Sequence, residues 1–289
     1  MSTPDSNSPA TTALRLEGRD ALDLLHRIST NALLELAPGT ARATLFCDFR
    51  GRLLQRAVVA HLSDRTLWLV RDDAPPADLA AHVDRHVFRE DVRIGDHSAA
   101  WPVAPVPGGL GLVAGAIEQR DGVPISIQVT ADFALQLGAG DPRSAHEREL
   151  ERVASGRPAH GHEICDAFHP YEVGLAHEVH LDKGCYTGQE VLLRLLTYGG
   201  VRRHLTRVEG SGTTPATPSD LTLDGAAVGR LTTAVSGERG WFGLAVVKDS
   251  ALARGSELTV INAGAIEAVM PFAATQPLGR PGLTAEPPR

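Results

Sequence analysis

Residues 182–195 read "DKGCYTGQEVLLRL", and this stretch decides how the rest of the chain is read. A thiol reacts as its thiolate, a form that a nearby cation or a helix N-terminus favours. Cys185 has Lys183 two positions before it, and "QEVLLRL" predicts a helix opening near Gly188. Gly184 and Gly188 predict sharply turned backbone that something else approaches closely. Gln189 and Glu190 serve either as ligand-binding groups or as residues of a first helical turn, where a carboxylate is stabilising in any case. Local physics leaves two readings of Cys185 open, a functional thiol or a small buried apolar side chain.

The surroundings narrow the class of protein. The chain has 289 residues, enough for two or three compact units. Its 43% hydrophobic and 22% charged residues are ordinary for a globular protein, and with only 4% aromatics the cores must rest on Leu, Val and Ala. A net charge of -7 argues against general affinity for nucleic acid, so no direct DNA binding is expected. Cys47, Cys165 and Cys185 are too few and too scattered for a disulfide framework, which suits a reducing, cytoplasmic setting. No apolar run approaches the ~20 residues of a membrane span, and the N-terminus has neither the basic region nor the apolar core of a signal peptide. Residues 1–13 and 274–289 read as disordered tails.

Between the tails the pattern is mixed. "LEGRDALDLLHRIST" predicts a helix capped by Asp20, followed by the strand-like runs "ATLFCDF" and "LLQRAVVAHL" with Gly51 in the turn between them. "RTLWLVR" predicts a further strand, "PPADLAAHVDRHVF" a helix, and "GVPISIQVT" with "FALQLG" another strand pair. "DPRSAHERELERVASG" predicts a helix with Asp141 as its cap and Gly156 as its stop. Gly109-Leu110-Gly111 does not make a dinucleotide site, because Pro107 ends a central strand poorly and a third glycine is out of register. "HGHEICDAFH" (160–169) holds metal-ligand residue types, yet no zinc spacing fits, and it reads as a polar loop lining a pocket. Short strands separated by glycine turns after residue 205 predict a small β-barrel or sandwich. The expected fold class is α+β.

"KGCYTGQE" (183–190) resembles the signature of the YgfZ family, relatives of the glycine-cleavage T protein, an aminomethyltransferase. "GRDALDLLHRISTN", "GRLLQRAVV", "SGRPAHGHE", "HPYEVGL", "VRRHLTRV" and "GAAVGRLTTAVS" resemble other segments of that family, in its order, so the likeness covers residues 14 to 270. It implies an aminomethyltransferase-like fold, with two α+β units around a central opening and a C-terminal small β-barrel. The expected divisions are a folate-binding body at 14–205, with a central unit at about 50–140 inserted between the parts of the first, and a barrel at 206–273.

The resemblance also implies tetrahydrofolate or a folate derivative as cofactor, and iron–sulfur enzymes or their assembly machinery as partners. These include a tRNA-modifying enzyme; no membrane is implied. Cys185 would be the functional centre with Lys183 beside it. Gly184, Tyr186, Gly188, Gln189, Glu190, Glu172, Arg194, Tyr198 and Asn31 would contact the folate, and Arg194, Arg202 and Arg203 offer charge for its glutamate tail. Transferases of the family carry an acid on the hairpin strand, where this chain has Gln55 and Arg56. That substitution weighs against an aminomethyltransferase or demethylase. A third reading is an interaction module that has lost its ligand.

Overall fold

The computed structural model describes residues 11–63, 66–238, 240–253, 257–260, 264–272 and 275–279. The chain divides into two compact units: Met1–Cys47, Leu54–Ala145 and Glu178–Thr187 form the first, while Asp48–Leu53, His146–His177 and Gly188–Arg289 form the second.

In the first unit, β1 (Thr12–Glu17) is followed by α1 (Ala21–Ile28), β2 (Thr40–Cys47), β3 (Leu53–Ser63), β4 (Thr66–Arg71), α2 (Ala77–Asp84) and β5 (Arg93–Asp96). The five strands form one sheet in the order β2-β3-β4-β1-β5. Strands β6 (Val103–Pro107), β7 (Ile117–Glu118), β8 (Ile125–Thr130) and β9 (Phe133–Leu137) form a second sheet, ordered β6-β9-β8-β7. Alternation along β4 shows how the layers stack. Leu67 and Leu69 join Leu14, Leu16, Leu24, Leu25, Leu79 and Val83 under the two helices. Trp68 and Val70 point the other way, to Val103, Ile127, Leu135 and Leu137 of the second sheet. A strand buried on both faces reads as a continuous apolar run, which is why "LWLV" lacks visible alternation. Pro105 and Pro107 are tolerated because β6 is an edge strand with one side free of ladder bonds.

In the second unit, α3 (Ala145–Ala154) and α4 (Gln189–Thr197) precede a closed barrel. Its strands are β10 (Arg203–Gly210), β11 (Ser219–Leu223), β12 (Ala226–Gly237), β13 (Gly240–Lys248), β14 (Glu257–Val260) and β15 (Gly264–Pro271), with the short α5 (Asp249–Leu252) after β13. They close in the order β10-β13-β12-β11-β14-β15 around Val208, Leu221, Leu231, Trp241, Ala245, Val247 and Ile266. Closure removes the unpaired edges that an open sheet would expose. The α+β class and the small barrel agree with expectation.

Three local expectations change. Within "LEGRDALDLLHRIST" the helix opens at Ala21, directly after Asp20 as expected, while Leu16 and Glu17 pair with β4 and β5. Strand β1 also takes Thr12 and Ala13, expected in the tail; residues 1–10, 273, 274 and 280–289 of the expected tails and barrel end lie outside the described residues. Asp20 makes no side-chain cap; its carboxylate accepts the Asp91 N–H at 2.8 Å. Asp141 likewise lies ahead of α3 and accepts the Arg143 N–H at 3.0 Å. Gly156, left-handed at φ +69°, does follow the helix end.

Candidate functional site

The signature divides between the units, with residues 183–187 in the first and 188–190 in the second. In the first unit, Cys185 is exposed and Cys47 buried, and in the second Cys165 is half-buried; none of the three is in a disulfide. The Cys165 thiol donates to the His162 carbonyl at 3.2 Å and is held above its usual pKa, chiefly by burial. Lys183 is half-buried, and His26 fixes it from both ends. Its Nζ donates to the His26 carbonyl, and its own carbonyl lies 2.8 Å from His26 Nε2. His26 Nδ1 accepts the Leu33 N–H at 3.0 Å, so the ring proton belongs on Nε2 and is donated to Lys183. Burial, and then the Lys183 charge, hold His26 below its usual pKa, which keeps that neutral tautomer.

Burial also lowers Lys183, to about 8. Its ammonium sits 5.0 Å from the centre of the Tyr186 ring. Tyr186 is buried, its hydroxyl has no hydrogen-bond partner among the described residues, and burial raises its pKa, so it stays protonated. Gly184, at φ +99°, supplies a turn into open space. Asn31 has a different place: its amide donates to Ala43 O at 2.8 Å and its carbonyl accepts the Ala32 N–H at 2.9 Å. That buried side chain ties the end of α1 to β2.

The hairpin strand holds a surprise. Arg56, where the likeness led us to look for an acid, meets an acid from elsewhere in the chain. Its Nε and Nη2 lie 2.6–3.0 Å from both carboxylate oxygens of Glu178, which is almost fully buried. Burial opposes the Arg56 cation, and Glu178 outweighs it, so Arg56 lies above the usual arginine pKa. Neighbouring Gln55 accepts from Arg71, a second buried guanidinium that also donates to Thr12 Oγ1 at 3.0 Å. No spacing rule links 56 to 178, so sequence reasoning missed this pair.

In the second unit, Glu172 lies in the 3-10 turn Pro170–Val173 and is buried. Arg203 grips it with Nε at 2.7 Å from Oε1 and Nη2 at 3.0 Å from Oε2, and the His169 N–H donates to Oε2 at 2.9 Å. His169 Nδ1 donates in turn to the Gly51 carbonyl at 2.9 Å. Arg203 is therefore committed to Glu172, while Arg202 is exposed. Asp48 accepts the N–H groups of Arg50 and Arg52, both at 2.8 Å, so its carboxylate closes the hairpin turn. Gly188, at φ +84°, lies against that turn: a Cβ there would fall 2.5 Å from Asp48 O and 2.9 Å from Gly51 Cα. The close approach predicted at Gly188 is that of the hairpin backbone.

Gln189 opens α4, whose Leu192 is buried, while Glu190 and Arg194 pair with each other on its exposed face. Tyr198 is 78% exposed. The 160–169 loop encloses a buried ion pair, with Glu163 accepting from Arg152 Nη1 and the Ala159 N–H at 3.1 Å and from Thr233 at 3.0 Å. Among the described residues no group of three or more His, Cys, Asp or Glu side chains could hold a metal. Nor, among them, is any helix long and apolar enough to cross a membrane.

Comparison with known proteins identifies the fold. Residues 10–110 match the model of the GCVT N-terminal domain, and the fold is that of the aminomethyltransferases. The glycine cleavage system aminomethyltransferase T from Bartonella henselae superposes with a TM-score of 0.75 at 15% identity, over 94% of this chain and 86% of that one. The chain is 38% identical over 179 residues to "Putative transferase At1g60990, chloroplastic" of Arabidopsis thaliana, covering 54% of this chain and 41% of that protein. It is 24% identical over 264 residues to an aminomethyltransferase of Symbiobacterium thermophilum, covering 75% of this chain and 70% of that one. It thus spans less than half the length of the plant relative.

Proposed function

We propose that this chain is a cytoplasmic folate-binding accessory protein of the YgfZ type, supporting the assembly or repair of iron–sulfur enzymes, with Cys185 as its functional centre. The observation that carries this reading is the state of the signature. Cys185 is exposed beside a half-buried Lys183, whereas the hairpin strand presents a guanidinium already paired with Glu178. A paired cation at residue 56 can neither accept a proton nor stabilise a cationic methylene group. The aminomethyltransferase or demethylase reading is correspondingly disfavoured, although the class contains such enzymes.

The residues present fit a folate in part. Tyr186 offers a ring and an unpartnered buried hydroxyl. Glu172 is gripped by Arg203, and its Oε1, which accepts one bond from that guanidinium, has a second acceptor position for a pterin N–H. Gln189, Glu190, Arg194 and Tyr198 lie on or beside an exposed helix face, where the Arg194 guanidinium offers the charge for an anionic tail and the others offer hydrogen-bonding or ring surface. Asn31 acts through the fold, by fixing the loop after α1. The folate, when bound, would supply the one-carbon chemistry. The chain's own residues would bind it and present the Cys185 thiol.

Two measurements test the reading. Titration with tetrahydrofolate and with 5-formyltetrahydrofolate should give saturable binding, and its absence at high micromolar ligand would leave the ligand-free interaction module as the better account. In cells lacking the protein, iron–sulfur enzyme activity should return with the wild-type chain and not with Cys185→Ala. Full rescue by the alanine variant would remove Cys185 from the centre.

A further inference from the structure

Of the 28 basic residues in this chain only Lys183 and Lys248 are lysines, and all the others are arginines. Arginine serves most surface and ion-pairing roles of a cation, and its guanidinium cannot give up its proton in a protein. A chain that places arginine at nearly every cationic position, yet lysine inside its most distinctive motif, uses something there that a guanidinium lacks. The property unique to the amine is a neutral form with a nucleophilic lone pair.

The setting of Lys183 favours that form. Its hydrogen bond runs to a neutral acceptor, the His26 carbonyl, and no carboxylate contact holds it as an ammonium among the described residues. The titratable groups facing it are His26, kept neutral by its own bonds, and the protonated Tyr186; Asp23 and His180 face His26 rather than the amine. The Tyr186 ring favours the cation, but burial prevails. Lys248 also donates to a carbonyl, that of Ala227 at 2.8 Å, but it is exposed, so burial does not favour its neutral form.

We propose that Lys183 works as a neutral amine that captures a small aldehyde as an imine. The Nζ lone pair attacks the carbonyl carbon while the C=O π electrons move to oxygen, and one N–H proton passes to that oxygen to give a carbinolamine. The second N–H proton leaves with the hydroxyl as water and the C=N bond forms; hydrolysis reverses the sequence, and no oxidant is needed. The inference rests on Lys183 belonging to the functional centre proposed above, and not on which folate binds. A folate at the methylene level carries its one-carbon unit at the oxidation level of formaldehyde, so an amine of this kind would suit it.

The scarcity of lysine makes the test clean. The full chain is incubated at pH 7.5 with acetaldehyde and cyanoborohydride, which fixes imines as alkylamines, and each lysine is followed by peptide mass spectrometry. A pKa near 8 leaves about a quarter of Lys183 neutral at that pH, against about a thousandth for an ordinary lysine. Lys183 should therefore be alkylated at least tenfold faster than Lys248, with a rate that rises through pH 8. Lys248→Arg should leave the Lys183 rate unchanged, and the same reaction in denaturant should erase the difference. A Lys183 rate equal to or below that of Lys248 in the folded chain overturns the proposal. Folate titration is independent: its failure leaves a fast Lys183 standing, and a slow Lys183 leaves folate binding standing.

Discussion

Glu178→Ala should cost about 3–5 kcal/mol of unfolding free energy, the usual effect of leaving one member of a buried ion pair without its partner. Arg56 makes three short contacts to that carboxylate, and both side chains are largely out of water. Without Glu178, the guanidinium must stay charged in a site built for a pair, or the strand must move to hydrate it. The converse Arg56→Ala should cost a similar amount, because the stranded group is then a buried carboxylate. Replacing the two together, as Arg56→Met with Glu178→Leu, should recover most of the loss, since a well-packed apolar pair is often as stable as the ions it replaces. Urea denaturation of the four proteins measures this directly. Equal losses in Glu178→Ala and the double variant, which keeps the side-chain volume and strands no charge, would show that the ion pair itself supplies the stability.

The same pair shows where sequence reading stops. The strands, helices and barrel were legible because burial imposes a period on each, and the glycine turns separate the barrel strands. Elements failed at their ends. Thr12 and Ala13 read as tail, and only pairing with β4 makes them the start of β1. Asp20 and Asp141 have the right residue type for a cap, but Asp20 accepts the Asp91 amide of another loop and Asp141 the Arg143 amide of its own turn.

The site was legible to a similar depth. A turned Gly188 follows from the motif itself, whereas the motif left the exposure of Cys185 open. The partners of Lys183, Arg56 and Glu172 do not follow from it, since His26, Glu178 and Arg203 reach them across long stretches of chain. Such contacts follow from topology, which no local window contains. The lysine count is a counterexample: it is visible in the sequence alone, and it gained meaning only when Lys183 was seen to lack a carboxylate.

Gly188→Ala should cost about 2–5 kcal/mol, and Gly184→Ala should cost only about 1–2 kcal/mol. Both glycines have positive φ, +84° and +99°, so alanine at either meets the same left-handed penalty of roughly 1–2 kcal/mol. They differ in what surrounds them. A Cβ at 184 meets nothing within 4 Å, whereas one at 188 would fall 2.5 Å from Asp48 O and 3.0 Å from Gly51 N. Those atoms are backbone in a turn that Asp48 closes with two hydrogen bonds, so no side-chain rotation relieves the clash. Overpacking of this kind adds about 1–3 kcal/mol. The difference between the two variants, read from denaturation midpoints at a common m-value, isolates the close approach from the backbone term. Equal costs would mean that the hairpin turn yields freely, and that Gly188 is glycine for its φ alone. The predicted inequality would instead make the motif's second glycine the point where the signature is fitted to the hairpin, leaving its first glycine to set the turn that carries Cys185.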